Sequence, residues 1–301
     1  MNEIGKKVLF IINKYSGMGF QGTIEGRILD TCEKNDVECS IEYTQRRGHA
    51  ISLSSEARNN GFDYVVAVGG DGTINEVARG LLHSETPMGI LPRGSGNGLA
   101  RHLGISVSLT DAIDNLFNHS ILRIDTLSIN DKLSLNVSGI GFDGHVANLF
   151  ANKKIRGLVG YVRISVQEYF RFQEFEAEVT VDNITNIRKA FIIAVANSSQ
   201  YGNNIKIAPL ASVRDGMFHL SIMKKIPLYR FDHIYSFLQG TITNNEMFEI
   251  VVGKELNIRT SQPVPYHIDG EPSGLNDTFK IQLQPASLSV MMPTGRRQDK
   301  V

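Results

Sequence analysis

The first third of the chain alternates short apolar runs with amphipathic stretches. Val8–Ile12, Cys39–Tyr43, Val65–Val68 and Met88–Pro92 are apolar or β-rich runs of strand length bounded by turn residues, and they predict strands, buried ones at Val8–Ile12 and before the two glycine-rich turns. Between them, helical spacing covers Gly22–Lys34, Ala50–Asn59 and the stretch opening near Thr73. A further helix spans Leu99–Leu103 with a stop at Gly104, and another has Ser108 as cap and Leu109, Ile113, Leu116 and Phe117 on one face. Strands alternating with helices predict an α/β domain, a parallel sheet wrapped by helices. Beyond residue 122 the period changes to two. Ala177, Val179 and Val181, then Phe218, Leu220 and Ile222, then Phe279, Ile281 and Leu283 alternate with polar neighbours, as in a β-rich antiparallel sandwich-like domain with one buried face per strand. Two helical inserts interrupt it. Ile155, Leu158, Val159, Val162, Val166 and Tyr169 form one apolar face, and Leu228, Phe231, Tyr235 and Leu238 another; both are read as core packing. The first, opening with Lys153, Lys154 and Arg156, has the alternative of lying on a membrane surface.

At 301 residues and 42% hydrophobic, the chain has material for two packed domains. A net charge of zero gives no general attraction to nucleic acid or acidic lipid. Cys32 and Cys39 are read as reduced thiols, in keeping with a cytoplasmic protein. Lys6-Lys7 precede only five apolar residues, too few for a signal-peptide core, and no stretch approaches the ~18 apolar residues of a membrane span.

Chemistry concentrates in two glycine-rich turns, each between an apolar strand and a helix. The first is Gly69-Gly70-Asp71-Gly72-Thr73, where Thr73 and Glu76 have capping-box spacing. The second is Arg93-Gly94-Ser95-Gly96-Asn97-Gly98. Glycine lets the backbone take strained angles and approach a ligand closely, and the orphan N–H groups of a helix start favour an anion. Two such turns at the carboxyl ends of neighbouring strands predict a phosphate-binding nucleotide site, with Asn13 ending the first strand nearby. Thr73, Ser95 and Asn97 are candidate side-chain donors. Neither turn holds a Walker-type Lys, so the charge offsetting a triphosphate is expected mostly from Mg²⁺. Asp71 is a candidate for holding that ion or acting as base, against the alternative of a turn-forming aspartate. His267-Ile268-Asp269-Gly270-Glu271 carries two carboxylates and equally fits a plain hairpin turn. His49, His145 and His267 lack metal-ligand spacing, so zinc is not expected.

Gly69–Val77 followed by Leu91–Asn97 resembles the diacylglycerol kinase and sphingosine kinase family, especially its soluble bacterial members. Asn13 with Ser16-Gly17-Met18-Gly19, Thr44 with Gly48-His49-Ala50, Arg123-Ile124-Asp125, Gly141-Phe142-Asp143-Gly144, Asp215-Gly216 and Asp269-Gly270-Glu271 continue the likeness in order. The first loop departs from the family spelling, with Lys14 for the usual Pro and Met18 for the usual Lys. Gly94-Ser95-Gly96-Asn97 is nearer the sphingosine-kinase form. The resemblance implies an ATP- and Mg²⁺-dependent lipid kinase with a nucleotide-binding domain at 1–122 plus 287–301 and a lipid-binding domain at 123–286. It implies nucleotide contacts from Asn13, Thr44, Gly69, Gly70, Gly72, Thr73, Glu76, Gly94, Ser95, Gly96 and Asn97. Glu271 becomes the general base with Asp71 competing for that role, and Asp215 a ligand of structural Mg²⁺ with Asp125 as companion. Diacylglycerol is the first acceptor and a sphingoid base the second. A soluble substrate of the NAD-kinase kind comes third, and a non-catalytic nucleotide sensor is the reading of a different class. Transient peripheral contact with a membrane and a homodimer are compatible with this picture, and a nucleic-acid partner is not.

Overall fold

Val8–Ile12, Val65–Val68 and Met88–Pro92 are buried along their whole length in a parallel sheet, where only a continuous hydrophobic strand can sit, whereas Cys39–Tyr43 alternates between exposed and half-buried positions at the sheet edge. The computed structural model describes residues 5–17, 23–152, 158–202, 205–241 and 243–294. The chain forms two units, Met1–Ile124 with Ala286–Val301, and Asp125–Pro285.

The first unit runs β1 (Lys7–Ile12), α1 (Thr23–Lys34), β2 (Glu38–Tyr43), α2 (His49–Asn59), β3 (Tyr64–Gly69), α3 (Asp71–Leu81), β4 (Met88–Pro92), α4 (Gly98–Leu103) and α5 (Leu109–Asp114). Strand order is β2–β1–β3–β4, all parallel, with Val8 opposite both Cys39 and Tyr64 and Val65 opposite Met88. The final strand adds to the far edge in parallel at Val290↔Met88. The chain leaves β1 for β2 on one side and β3 for β4 on the other, so the carboxyl ends of β1 and β3 form the topological switch point where ligands bind in open α/β sheets. On α3, Ile74, Val77, Ala78 and Leu81 are buried at helical spacing. Gly104, at φ 75°, ends α4 by donating its N–H back to the Ala100 and Arg101 carbonyls. Ser108 Oγ accepts from Asp111 N and starts α5. Cys32 and Cys39 are free thiols, and burial pushes the Cys32 thiol above its ordinary range.

From β5 (His119–Ile129) the chain enters the second unit: β6 (Lys132–Ser134), β7 (Val137–Gly141), α6 (Phe142–Asn152), α7 (Leu158–Tyr169), β8 (Phe175–Val181), β9 (Ile184–Ala190), β10 (Ile192–Ala196), β11 (Gln200–Gly202), β12 (Ile205–Lys206), β13 (Phe218–Met223), α8 (Phe231–Gln239), β14 (Phe248–Gly253), β15 (Glu255–Ile268) and β16 (Glu271–Pro293). β14, β13, β10, β7 and β15 are antiparallel neighbours, and β15 also pairs with β8 and β16. One core contains Phe175, Val179, Phe218, Leu220, Ile258 and Phe279.

The expectation of one buried face per strand fails for the central strands. β7, β10 and β13 are buried at every position, because a second core of Phe142, Val146, Ile164, Phe191 and Ala194 covers their other side. The helical inserts also differ from the core reading. Val162 and Val166 are about half exposed or more, and Leu228, Phe231 and Tyr235 lie outward as well. These helices bury the adjacent stripe instead: Ile164 in α7, and Ile234, partly, in α8. Lys153, Lys154, Ile155 and Arg156 fall outside the described residues, as do the side chains of Leu158, Val159 and Leu238.

Candidate functional site

Three loops meet at the carboxyl ends of β1, β3 and β4 in the first unit. Asn13 ends β1 and ties them together. Its N–H donates to the Val68 carbonyl (3.0 Å), its Nδ2 donates to Thr73 Oγ1 (3.1 Å), and its Oδ1 accepts from Tyr15 N (3.0 Å). Arg93 N donates to the Gly69 carbonyl at 2.7 Å, joining the β3 and β4 loops. At Gly69 and Gly94 glycine is required for closeness, while Gly17, at φ 73°, needs it for closeness and for a left-handed angle. None of Gly69, Gly70, Gly72, Gly94 or Gly96 has a left-handed φ, contrary to the expectation of strained glycines. A Cβ on Gly94 would lie 2.9 Å from Gly70 Cα, one on Gly69 2.6 Å from Thr73 Cβ, and one on Gly17 2.7 Å from the Arg93 carbonyl oxygen. The left-handed residue in the second turn is Asn97, at φ 51°, ψ 44°.

The polar side chains are bound to backbone in ways that local spacing did not forecast. Asp71 Oδ1 accepts from Gly98 N and its Oδ2 from Asn97 N, both at 3.0 Å, so the carboxylate of the first turn holds the start of α4. The Thr73–Glu76 capping box does not form: α3 starts at Asp71 after Gly70, with no side-chain cap. Glu76 instead accepts from Gly48 N (2.8 Å) and Ala50 N (3.3 Å), where it holds the start of α2. Asn97 closes its own turn, its Oδ1 accepting from Gly94 N and its Nδ2 donating to Gly94 O, each at 2.8 Å. Thr44 follows β2, its N–H donating to the Ile12 carbonyl at 3.0 Å. Ser95 is exposed, and Gly96 faces the Asp71 carboxylate.

Local spacing gives Arg93 no role beyond its place in the second turn. Its guanidinium is half-buried, with Nη1 3.5 Å from the Asn13 carbonyl oxygen, and burial lowers its pKa from the ordinary guanidinium value. Even so it remains a cation at neutral pH, and it brings fixed positive charge to the loop cluster. Lys14 Nζ lies 3.6 Å from the centroid of the Tyr43 ring. Met18 is outside the described residues. Close-approach glycines, helix-start amides and a fixed cation at strand ends fit a polyphosphate in kind.

In the second unit, Asp269 and Gly270 form a two-residue turn, at φ 49° and 83°, between Ile268 and its partner Glu271. Asp269 is occupied structurally. Its Oδ1 accepts from Ser134 Oγ (2.9 Å) and Asn136 N (3.0 Å), and its Oδ2 from Leu135 N (2.8 Å). Glu271, the first residue of β16, is exposed. Asp125 is buried, its Oδ2 accepting from Gly216 N at 2.8 Å. Asp215 Oδ1 accepts from Met217 N (3.0 Å), and its Oδ2 lies 2.9 Å from His219 Nε2. Asp125 in β5 and Asp215 in the loop before β13 suit a hard cation in kind but fall short in number. Among the described residues no cluster of three or more His, Cys, Asp or Glu could hold a metal.

Residues 7–129 match the family described as diacylglycerol kinase catalytic domain, and residues 136–292 the YegS C-terminal NAD kinase beta sandwich-like domain. A protein of Bacillus subtilis named diacylglycerol kinase is 28% identical over 279 residues, covering 90% of this chain and 91% of that protein. A protein of Chromohalobacter salexigens named "Probable lipid kinase YegS-like" is 26% identical over 263 residues, 85% of this chain and 84% of its own. The crystal structure of a diacylglycerol kinase from Bacillus anthracis superposes with a TM-score of 0.74 at 20% identity, covering 96% of this chain and 97% of that one, which shows the shared fold. Both halves of the chain thus match in order, and the protein belongs to the lipid kinase family built from a diacylglycerol kinase catalytic domain followed by a YegS-type β-sandwich.

Proposed function

We propose that this protein transfers the γ-phosphate of ATP to the hydroxyl of a lipid, with diacylglycerol as the first acceptor. The observation that carries the proposal is the convergence of three loops at the carboxyl ends of β1, β3 and β4, with the Arg93 cation among them. Bound ATP supplies the phosphoryl group. Around it, amides of the Gly69–Thr73 turn and those of Ser95 and Gly96, between the occupied Gly94 and Asn97 amides, cradle phosphate oxygens, and Arg93 offsets their charge. Asp71 keeps the two turns in register, and Glu271 takes the proton of the acceptor hydroxyl. Mg²⁺ accompanies the nucleotide, and Asp215 and Asp125 would supply two of the oxygen ligands of a structural ion, with backbone carbonyls or water for the rest. The choice of diacylglycerol is supported by the Bacillus subtilis relative of that name. Peripheral contact with a lipid surface is supported by Val162, Val166 and Phe170 of the α7 segment, exposed at i, i+4 spacing next to exposed Arg163 and Arg171. No helix among the described residues is long and apolar enough to cross a membrane.

The test is transfer of labelled γ-phosphate into diacylglycerol, sphinganine, ceramide and phosphatidylglycerol in mixed micelles, with NAD as the soluble acceptor. Label in diacylglycerol is expected, and label only in sphinganine or NAD would move the acceptor. Bound nucleotide with no label anywhere would favour the sensor reading. The Glu271→Ala variant should bind ATP normally and lose transfer. Loss of nucleotide affinity with an unchanged rate would refute Glu271 as base.

A further inference from the structure

Gly141-Phe142-Asp143-Gly144 takes no part in the proposed transfer. In the second unit its carboxylate lies in a buried cluster behind the Asp269–Gly270 turn. Asp143 and His267 are 7% and 3% exposed. Asp143 Oδ1 accepts from Gly144 N at 2.8 Å. Its Oδ2 accepts from Tyr201 Oη at 2.6 Å and lies 3.2 Å from His267 Nε2. Room for the carboxylate comes from β7. His267 on β15 is paired with Gly139, and a Cβ at Gly139 would lie 1.8 Å from Asp143 Oδ2. Burial, together with this carboxylate, raises the Tyr201 phenol well above its ordinary pKa, so the phenol stays a donor.

The other face of the imidazole settles its tautomer. Gly270 N, which can only donate, lies 3.1 Å from His267 Nδ1. Nδ1 is therefore the acceptor, and Nε2 carries the proton and donates it to Asp143. One ring thus joins a buried, multiply bonded carboxylate to the second residue of a two-residue turn, and the next residue is Glu271. Asp269 anchors the same turn through its bonds to Ser134, Leu135 and Asn136.

We propose that His267 is a positioning residue: held by Asp143, its Nδ1 secures the Gly270 amide and so sets where the Glu271 carboxylate stands. This rests on Glu271 being the base. A base displaced by about 1 Å can lose about 100-fold in rate with substrate binding intact. Rate should therefore suffer more than affinity.

Two isosteric variants of the full-length protein separate the two ring nitrogens. His267→Asn keeps an acceptor near the Nδ1 position, whereas His267→Gln keeps a donor near Nε2 and loses that acceptor. His267→Gln should lower kcat by about 10- to 100-fold with the KM for ATP unchanged. It should also speed hydrogen exchange at the Gly270 amide, read by mass spectrometry. His267→Asn should restore most of the rate and the protection. Equal losses in both variants, or unchanged Gly270 exchange in His267→Gln, would overturn the proposal. If both misfold, Asp143→Asn provides the same two readouts and must show the same split between kcat and KM; a normal kcat with a normal amide would overturn it. Exchange at Gly270 reports on the device without using Glu271. Full turnover in Glu271→Ala, with the Gly270 effect present, would refute the base assignment and leave the hydrogen bond established.

Discussion

Asp71 offers a quantitative test, because its side chain does something calculable before any chemistry occurs. Both carboxylate oxygens accept backbone N–H groups, from Gly98 and Asn97, and Asn97 is 5% exposed. Asp71→Asn keeps one acceptor and turns an amide N–H toward the other donor. One hydrogen bond to a charged acceptor is lost, and a poorly solvated N–H is left without that partner, a cost of about 2 kcal/mol. Asp71→Ala removes both bonds and should cost roughly twice as much. At about 2–4 °C per kcal/mol for a unit of this size, Asp71→Asn should lower the melting midpoint of the first unit by about 4–8 °C. Calorimetry can follow that unit with and without a non-hydrolysable ATP analogue, whose Kd should weaken about tenfold or more as the second turn loses its hold on the first. Turnover should be abolished. A melting midpoint within about 1 °C of the parent, together with an unaltered Kd, would refute the bridge between the turns and return Asp71 to a purely chemical role.

Three further outcomes follow from other sites. Arg93→Ala should weaken ATP binding by about 10- to 100-fold, Arg93→Lys by less, and wild-type affinity should fall with added salt; equal affinity in all three proteins would remove Arg93 from the phosphate site. Asp215→Ala should lower both stability and rate, since it frees the Met217 amide and His219, and a chelator should lower the wild-type midpoint if an ion sits there; a midpoint indifferent to both would remove the structural role. The Glu168 carboxyl is held below its ordinary range by His145, against the opposing effect of burial and with help from Arg171. Its contribution to stability is therefore full above the unfolded carboxylate value of about 4.3 and is lost as pH falls through the lower folded value. Glu168→Gln should flatten that acid decline, and an identical melting profile would contradict the pairing.

Much of the architecture was legible in the chain because it rests on local periodicity. Apolar runs such as Val65–Val68, the buried spacing of Ile74, Val77, Ala78 and Leu81, the Ser108 cap and the Gly104 stop each act within a few residues, and each stands where its pattern predicts. The turns were legible for the same reason, since glycine between an apolar strand and a helix has few other uses. What a side chain bonds to across the fold was not legible. Asp71 reaches residues 26 and 27 positions away, Glu76 reaches back 28, and His267 meets Asp143 across 124. These pairings depend on strand order and register, which no short window contains. Thr73 and Glu76 had the spacing of a capping box, yet tertiary contacts gave Glu76 a better-placed pair of orphan amides at the start of α2. The exposure of Val162, Val166, Phe231 and Tyr235 was hidden in the same way. An apolar stripe shows that a helix has a face to cover, while only the packed core decides which stripe it takes. Local pattern was enough to place the strands, helices and glycine-rich turns of the first unit and three of the alternating strands of the second; which carboxylates became braces, which cation entered the loop cluster and which histidine stands behind Glu271 followed from folding, because those roles are set by neighbours distant in the chain.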